Sequence, residues 1–467
     1  MRFTELSYFV LLVVALAVSR VVRRSTTLGV LWLLAVSLYF YACWEPIFLV
    51  LLVVSTLLDY SVGAALGNPA NRRSRKLLLG YSIVGNLGML AVFKYGDFLL
   101  DLASEAAAAL GHPVALPRLG IALPIGISFY SFQTLSYSID VYRRQQAPVR
   151  SLPEFALFVC FFPQLVAGPI VRAGEFLPQV REPGRPDAGR VGEGLVLICI
   201  GLVKKIVLGD QIGRALVEPF FAAPGHYNGP EALLSNWASY FALYCDFSGY
   251  TDIALGSALL FGFVLPTNFD RPAFAASPAD HWRRWHMTLG TFLRDYLYFP
   301  LGGSRGGPVR QWWNLFVVFF VAGIWHGVGL SYVVMGIYNG VLAASWRLLR
   351  PAPSPRPWVR GMESLLAFQL TAFSVACLRP IPLARLGEAA VALLRWDAPA
   401  GGLFNAWAVG WLAVAIGLHL SPRGWKAALC TWGREAPALA LATLGVATGG
   451  LCALYAAGTR DFYYFQF

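Results

Sequence analysis

Charged residues are scarce in this chain. Asp, Glu, Lys and Arg make up 13% of the 467 residues, whereas 57% are hydrophobic. Roughly a quarter of the residues in a soluble domain are charged, so this composition excludes an ordinary soluble protein. Long polar stretches between the apolar runs are lacking too. We therefore predict one integral domain, residues 1–467, with the lipid bilayer as its solvent.

Cysteine is also sparse, and its spacing does not suit a metal site. The seven cysteines stand singly, without a CxxC pair or a mixed Cys/His spacing that would hold zinc. Their odd number argues against a disulfide framework. We predict no metal site and interpret the cysteines as packing residues.

The chain is instead rich in apolar runs near the roughly 20 residues that cross a bilayer as a helix. The clearer runs are 6–22, 28–41, 47–66, 77–92, 121–139, 195–208, 237–265, 312–325, 332–348, 365–378, 403–420 and 438–457. Allowing for re-entrant pieces, they predict an all-α polytopic membrane protein with about ten to twelve transmembrane helices.

The net charge of +12 is concentrated beside the ends of apolar runs. Clusters of arginine and lysine lie at 72–76, 143–150 and 347–360, whereas the stretch 100–117, interpreted as a loop, has neither residue. By the positive-inside rule the clusters face the cytoplasm, which places the N-terminus outside. The charge thus indicates topology and contact with anionic lipid headgroups, and we predict no nucleic-acid binding.

The middle of the chain interrupts this order with proline and glycine. In FFPQLVAGPIVR, residues Pro163, Gly168 and Pro169 break what would otherwise be a helix. Broken backbone at membrane depth is tolerated only where protein or a watery cavity satisfies its polar groups. We therefore expect re-entrant helices around a central cavity.

His326 lies at the end of an apolar run, in the sequence NLFVVFFVAGIWHG. An imidazole is costly to bury there and titrates near neutrality, so we predict that it is a catalytic base. Gly323, Gly327 and Gly329 leave little bulk around it, which suits either close helix packing or the approach of a substrate. A histidine in such a place can also serve only as a hydrogen-bond partner for a neighbouring helix.

His286 is a second candidate, in the segment HWRRWHMTLGTFLRDYLYFPLGG at 281–303. If the first part is one helix, His286 shares an apolar stripe with Trp282 and Leu289 and faces inward, while the arginines turn away. The same structural alternative applies to this histidine. Three other histidines are interpreted as surface or interfacial residues: His112, His226 and His419.

Two carboxylates, Asp246 and Asp252, lie in DFSGYTD within a long apolar segment. An unpaired buried charge is too costly to keep, so we expect both to pair with buried cations. The candidate partners are Lys94, Lys204 and Lys205. Intramembrane carboxylates and broken helices would also suit an ion-coupled transporter or flippase, although no related pair of broken segments occurs in two halves.

In their order along the chain, these segments resemble the membrane-bound O-acyltransferase superfamily, and within it the branch of alginate O-acetylation membrane proteins. The resemblance covers nearly the whole chain. It rests on PIGISFYSFQTLSYSIDVYR, FFPQLVAGPIVR, the pair Lys204-Lys205 with Asp210, LYCDFSGYTDIALG, NFDRPAFAASPADHWRRWHMTLGTFLRDYLYFPLGG, AGIWHG and the terminal FYYFQF. The fold that it implies is a ring of transmembrane helices around a central cavity.

The resemblance also implies roles for residues. His326, in WHG, would be catalytic, and His286, in RRWH, would be a second functional histidine. Supporting or substrate-lining residues are predicted at Trp325, Asp295, Arg294, Asn314, Asp246 and Tyr250. The sequence departs from the usual family pattern at His281, Gly290, Phe292 and around Arg379, which leaves the substrate preference open.

The implied reaction is acyl transfer at the bacterial cytoplasmic membrane. The donor would be a cytosolic thioester, acetyl-CoA or an acyl carrier, with no bound cofactor. The acceptor would be an exported polysaccharide or an extracytoplasmic SGNH-hydrolase-like acetyltransferase. Transfer of D-alanine to teichoic acid is the alternative within the superfamily. If the loop with Arg305 and Arg310 is cytoplasmic, His326 lies beyond the midplane, which predicts a passage open to both sides there.

Overall fold

The computed structural model describes residues 1–22, 24–166, 168–182, 187–349, 354–379, 381–421 and 424–456. Regular structure within these ranges is entirely helical, which confirms the all-α part of the predicted fold. The chain falls into two compact units, Met1–Pro186 with Ser257–Leu265, and Asp187–Gly256 with Pro266–Phe467. That these units form one domain stays a prediction. The terminal FYYFQF motif lies outside the described residues.

The first unit contains nine α-helices in its described part. They are α1 (Leu6–Val22), α2 (Thr26–Ala42), α3 (Leu49–Gly67), α4 (Arg75–Phe93), α5 (Gly96–Ala109), α6 (Ile127–Tyr142), α7 (Leu152–Cys160), α8 (Phe162–Leu165) and α9 (Ala173–Arg181).

The second unit holds the remaining helices, although the last turn of its longest helix belongs to the first unit. They are α10 (Ala188–Leu202), α11 (Asp210–Ile212), α12 (Glu218–Ala222), α13 (Gly229–Leu260), α14 (Pro278–Arg284), α15 (Met287–Leu293), α16 (Gly307–His326), α17 (Leu330–Leu349), α18 (Pro357–Ala376), α19 (Leu383–Ala392), α20 (Ala406–Leu420), α21 (Trp425–Glu435) and α22 (Ala438–Tyr455). Two π-helical segments, Val203–Gly209 and Gly213–Val217, flank α11.

By length and composition, three helices in the described ranges can cross a bilayer unaided: Pro46–Gly67, Arg75–Phe93 and Ala438–Tyr455. Helices α1, α2 and α20 are shorter but also apolar. Helix α6 carries many Ser, Thr and Gln side chains that are buried within protein. The total of ten to twelve crossings stays a prediction.

The stretch 100–117 was expected to be a loop, and the structure shows that this prediction is wrong for its first half. Helix α5 continues to Ala109. An alanine run at 106–109 and Asp97 in the first turn both favour helix, since alanine has the highest helix propensity and a carboxylate complements the N-terminal dipole.

The predicted breaks around Pro163 are confirmed. Helix α7 ends at Cys160, and α8 begins at Phe162 with Pro163 in its first turn, where a missing N–H breaks no helical hydrogen bond. A side chain at Gly168 would place its Cβ 2.4 Å from Gln164 Cα. The chain therefore needs glycine for this close backbone approach. That these pieces are re-entrant stays a prediction.

A buried carboxylate joins three helices of the first unit. Asp59 on α3 has no exposed surface. It accepts hydrogen bonds from Ser82 Oγ at 2.5 Å and Asn86 Nδ2 at 2.6 Å, both on α4, and from Ser138 Oγ at 2.5 Å on α6. Lipid supplies no hydrophobic drive for helix association, so polar contacts of this kind stabilise the packing.

Replacing Asp59 with Asn should destabilise the protein. One carboxylate oxygen becomes an amide nitrogen, which is a donor, and it would face a side chain that also donates at this position. An unsatisfied buried polar group costs about 1–3 kcal/mol. We expect the melting temperature of the protein in detergent to fall by several degrees. The control is Asp101→Asn, which breaks a pair with Arg118 whose members are both exposed, 2.7 Å apart. Equal melting temperatures for the two variants would contradict this role of Asp59.

Candidate active site

His286 lies at a break between two helices. Helix α14 ends at Arg284, Trp285 is extended, and His286 has a φ of +42° in the left-handed region before α15 begins. The prediction of one helix that carries Trp282, His286 and Leu289 is therefore wrong. The structure nevertheless agrees with the expectation that His286 faces inward, because this side chain is buried with 2% exposure.

Hydrogen bonds from the segment before α14 hold this break. Asp270 N–H donates to Arg284 O at 3.0 Å, and Met287 N–H donates to Asn268 O at 2.9 Å. Asn268 Oδ1 accepts from Thr288 N–H at 3.2 Å and from Thr288 Oγ–H at 2.7 Å. A strained backbone costs about 1–3 kcal/mol and persists where its surroundings hold it, often at functional sites.

His326 is the last residue of α16 and is 4% exposed. The glycines around it serve close packing. A Cβ at Gly323 would lie 2.5 Å from Gly336 Cα on α17, and one at Gly327 would lie 2.3 Å from Tyr332 Cζ. Of the two alternatives left by the sequence, the structure therefore shows close helix packing at these two positions.

Trp325 contacts both candidate histidines. Its ring centroid is 5.1 Å from that of His326 and 5.9 Å from that of His286, edge-on in each case. Phe247 on α13 lies 4.8 Å from His286. Two histidines that are far apart in sequence thus meet in one buried, aromatic-lined place within the second unit, while their catalytic roles stay predictions.

Three other predicted residues, which lie between the two histidines in the sequence, make contacts within their own region of the chain. Asp295 Oδ1 accepts from the Nε of its neighbour Arg294 at 2.7 Å, in the π-helical segment Arg294–Tyr298. Asn314 Nδ2 donates to Gly303 O at 2.9 Å and so ties α16 to the loop before it. Direct contact of the three with substrate stays a prediction.

Asp246 and Asp252 are paired with lysines, which confirms the prediction from their burial. Lys205 Nζ lies 2.6 Å from Asp246 Oδ1 and 2.6 Å from Asp210 Oδ1. Lys204 Nζ lies 2.7 Å from Asp252 Oδ2. We call these five residues, together with Lys426, the charge cluster.

Lys426 also pairs with Asp252, and sequence reasoning missed it. It lies on α21, 174 residues further along the chain, and no local pattern indicates that contact. The third candidate partner, Lys94, is in the first unit and donates to Ser128 Oγ at 3.2 Å.

The segment that carries the two neighbouring lysines of the charge cluster packs closely on Gly249 of α13. A Cβ there would lie 2.7 Å from Gly201 O and 3.0 Å from Lys205 N. Tyr250 lies in the same region, with its ring 5.7 Å from Lys205 Nζ. Asp246 and Tyr250 thus belong to the surroundings of the charge cluster, and their predicted lining of a substrate stays untested.

The interpretation of the other histidines was right for His112 and His226, which are exposed, and wrong for His419. His419 on α20 is 6% exposed, and its ring lies 4.3 Å from that of Tyr244. It follows Leu412 and Ala415 at helical spacing, so it shares their buried face. Proximity to the end of an apolar run did not imply exposure.

Within the ranges that the structure describes, no three His, Cys, Asp or Glu side chains gather as they would in a metal site. Five cysteines are buried, as packing residues would be. Cys43 is exposed, so the packing interpretation is wrong for that residue.

Comparison with known proteins places this geometry in a family. The model of the membrane-bound O-acyltransferase family matches residues 26–360, a span that includes His286 and His326. The chain belongs to the membrane-bound O-acyltransferase family. The superfamily resemblance seen in the motifs is thereby confirmed.

Individual relatives are named for different acceptors. The probable alginate O-acetylase of Pseudomonas aeruginosa is 38% identical over 330 residues, which cover 70% of this chain and 62% of that protein. The peptidoglycan O-acetyltransferase of Helicobacter pylori is 34% identical over 367 residues, 73% of this chain and 68% of that protein. The teichoic acid D-alanyltransferase of Bacillus subtilis is 27% identical over 267 residues, which cover 54% of this chain and 66% of that protein. The chain thus spans about three fifths to two thirds of these relatives.

Proposed function

We propose that this protein is an O-acyltransferase that moves an acetyl group from a cytosolic thioester to a hydroxyl group outside the bacterial cytoplasmic membrane. The observation that carries this proposal is the meeting of His286 and His326 at Trp325, inside the span that the family model matches. Relatives named for alginate and for peptidoglycan O-acetylation support an exported polysaccharide as the acceptor.

In the proposed reaction, neutral His326 takes the proton of the acceptor hydroxyl. The oxygen attacks the thioester carbonyl, the carbon–sulfur bond breaks, and the leaving thiolate receives the proton from the imidazolium. The products are an ester and a free thiol. General-base help of this kind contributes about 10²–10⁴ in rate, and alignment of both reactants contributes more. His286 orients the acceptor or donates a hydrogen bond to the developing oxyanion.

The length of α16 supports transfer across the bilayer. The helix has 20 residues, about 30 Å, which matches the hydrocarbon thickness. It begins two residues after Arg305, carries Arg310 in its first turn, which the sequence had suggested to be loop, and ends at His326. With the arginines in the cytoplasm by the positive-inside rule, the imidazole lies toward the outer side. We further propose ten to twelve helices around a central cavity, with the N-terminus outside.

The donor is acetyl-CoA or an acyl-carrier thioester, used as a co-substrate. The acceptor is the polysaccharide, or an extracytoplasmic SGNH-hydrolase-like acetyltransferase that passes the group on. Similarity to the teichoic acid D-alanyltransferase supports a second candidate, D-alanyl transfer. The transporter alternative loses its main support, because Asp246 and Asp252, whose carboxylates suggested ion coupling, are paired with lysines.

Mass spectrometry of surface polysaccharides from the producing organism tests this function. We expect deletion of the gene to remove ester-linked acetyl groups and the wild-type gene to restore them. Loss of ester-linked D-alanine in place of acetyl would favour the second candidate. Unchanged esters, together with ion-gradient-dependent uptake by vesicles that contain the protein, would contradict the enzyme and favour a transporter.

A further inference from the structure

Asn268 is a fully buried asparagine beside the turn that presents His286. Its Oδ1 accepts two hydrogen bonds from Thr288, one from the backbone N–H at 3.2 Å and one from the hydroxyl at 2.7 Å. A backbone N–H can only donate, so the atom that faces it must be the oxygen. The orientation of the amide group is therefore set.

The other end of this amide, Nδ2, is buried and has no hydrogen-bond partner among the residues that the structure describes. An unsatisfied buried donor costs about 1–3 kcal/mol. Most buried polar groups in native proteins are satisfied, and an exception calls for an explanation. A substrate oxygen that arrives at the site would supply the missing acceptor.

The position of Asn268 connects it with the histidine pair. Its carbonyl oxygen accepts from Met287 N–H at 2.9 Å, one residue after His286. The next residue, Phe269, lies 5.0 Å from Phe247, and Phe247 lies 4.8 Å from His286. Asn268 thus lies in the same buried, aromatic-lined place as the imidazole of His286.

We propose that Asn268 is a further residue of the acyl-transfer site. Its Oδ1 holds the turn that presents His286, and its Nδ2–H donates a hydrogen bond to the carbonyl oxygen of the acyl thioester. This inference rests on the proposed function. As the acceptor oxygen adds to the carbonyl carbon, an electron pair moves to the carbonyl oxygen and strengthens that hydrogen bond. Collapse of the intermediate expels the thiolate, and no proton is transferred to or from Asn268.

The test uses Asn268→Asp, which keeps the acceptor for Thr288 but removes the donor. The probe is radiolabelled acetyl-CoA. It is supplied to permeabilised membranes of the producing organism, and each membrane preparation contains one variant. The measured quantity is the radiolabel in polysaccharide that alkali releases, as it releases an ester. Loss of one oxyanion donor lowers the rate by about 10²–10³-fold, and we expect a loss of that size per folded molecule. The deficit relative to wild type should shrink at lower pH, because a protonated carboxyl donates again.

Asn339→Asp is the matched control. Asn339 is a buried asparagine on α17 whose Nδ2 donates to Met335 O at 3.0 Å. We expect this variant to transfer label at the wild-type rate per folded molecule. If the Asp variant of Asn268 does not accumulate, Asn268→Ser replaces it, with the same expected loss and no recovery at low pH.

Two results would overturn the role of Asn268 alone: transfer by its variants within a few-fold of wild type, or a loss that follows only the amount of folded protein. If the wild-type protein incorporates no label, or His326→Ala incorporates as much as wild type, the proposed function fails first. The inference on Asn268 then fails with it, and the two failures are distinguishable.

Discussion

His326→Ala is expected to abolish acyl transfer while the chain stays folded and inserted. Removal of the base forfeits about 10²–10⁴ in rate, and the imidazole no longer aligns the acceptor hydroxyl. The fold should persist because α16 packs on α17 through Gly323 and Gly336, which the substitution leaves intact. The measurement is ester-linked acetyl in surface polysaccharide, normalised to the amount of protein in the membrane.

His419→Ala is the matched control for this prediction. It removes another buried imidazole of the second unit, one that packs on Tyr244. We expect its transfer per folded molecule to stay close to wild type. Near-normal ester formation by well-inserted His326→Ala would contradict the role of His326 as the base. Equal losses of acyl transfer in the two variants would show that transfer depends on the packing of any buried imidazole and not on proton transfer by His326.

Lys205→Met is expected to have the largest effect on stability. Lys205 is 1% exposed in its side chain and pairs with both Asp210 and Asp246, so its loss removes the cation from two buried ion pairs. Removal of one partner of a buried ion pair costs about 3–5 kcal/mol, a large part of the stability of a typical domain. We expect little folded protein in the membrane and a strongly lowered melting temperature for the remainder.

The control for Lys205→Met is Arg434→Met, which breaks a pair with Glu193 in the same unit. These side chains are 2.7 Å apart, but the arginine is 57% exposed, so the pair is worth about 0–1 kcal/mol. Adding Asp210→Asn and Asp246→Asn to Lys205→Met should recover part of the lost stability, because the two carboxylate charges that Lys205 balanced are then removed as well. Lys205→Met with the melting temperature of Arg434→Met would contradict this account of the charge cluster.

The amino-acid sequence was sufficient for the class of the protein and for several features of its site. Scarce charge and recurring apolar runs indicate that lipid surrounds the chain, and the length and spacing of the apolar runs indicate helices. The all-helical membrane fold could therefore be predicted from the sequence. The pairing of Asp246 and Asp252 followed from the cost of a lone buried charge. The motifs that carry His286 and His326 pointed to the family.

Other features depend on contacts between distant segments, and local patterns do not contain them. The apolar spacing around His286 is compatible with one helix, but hydrogen bonds from Asn268 and Asp270 stabilise a break there. Lys426 reaches Asp252 across 174 residues, and the burial of His419 depends on the neighbours of α20. Helical periodicity describes a segment and its solvent, whereas these outcomes depend on which other segment satisfies its polar groups.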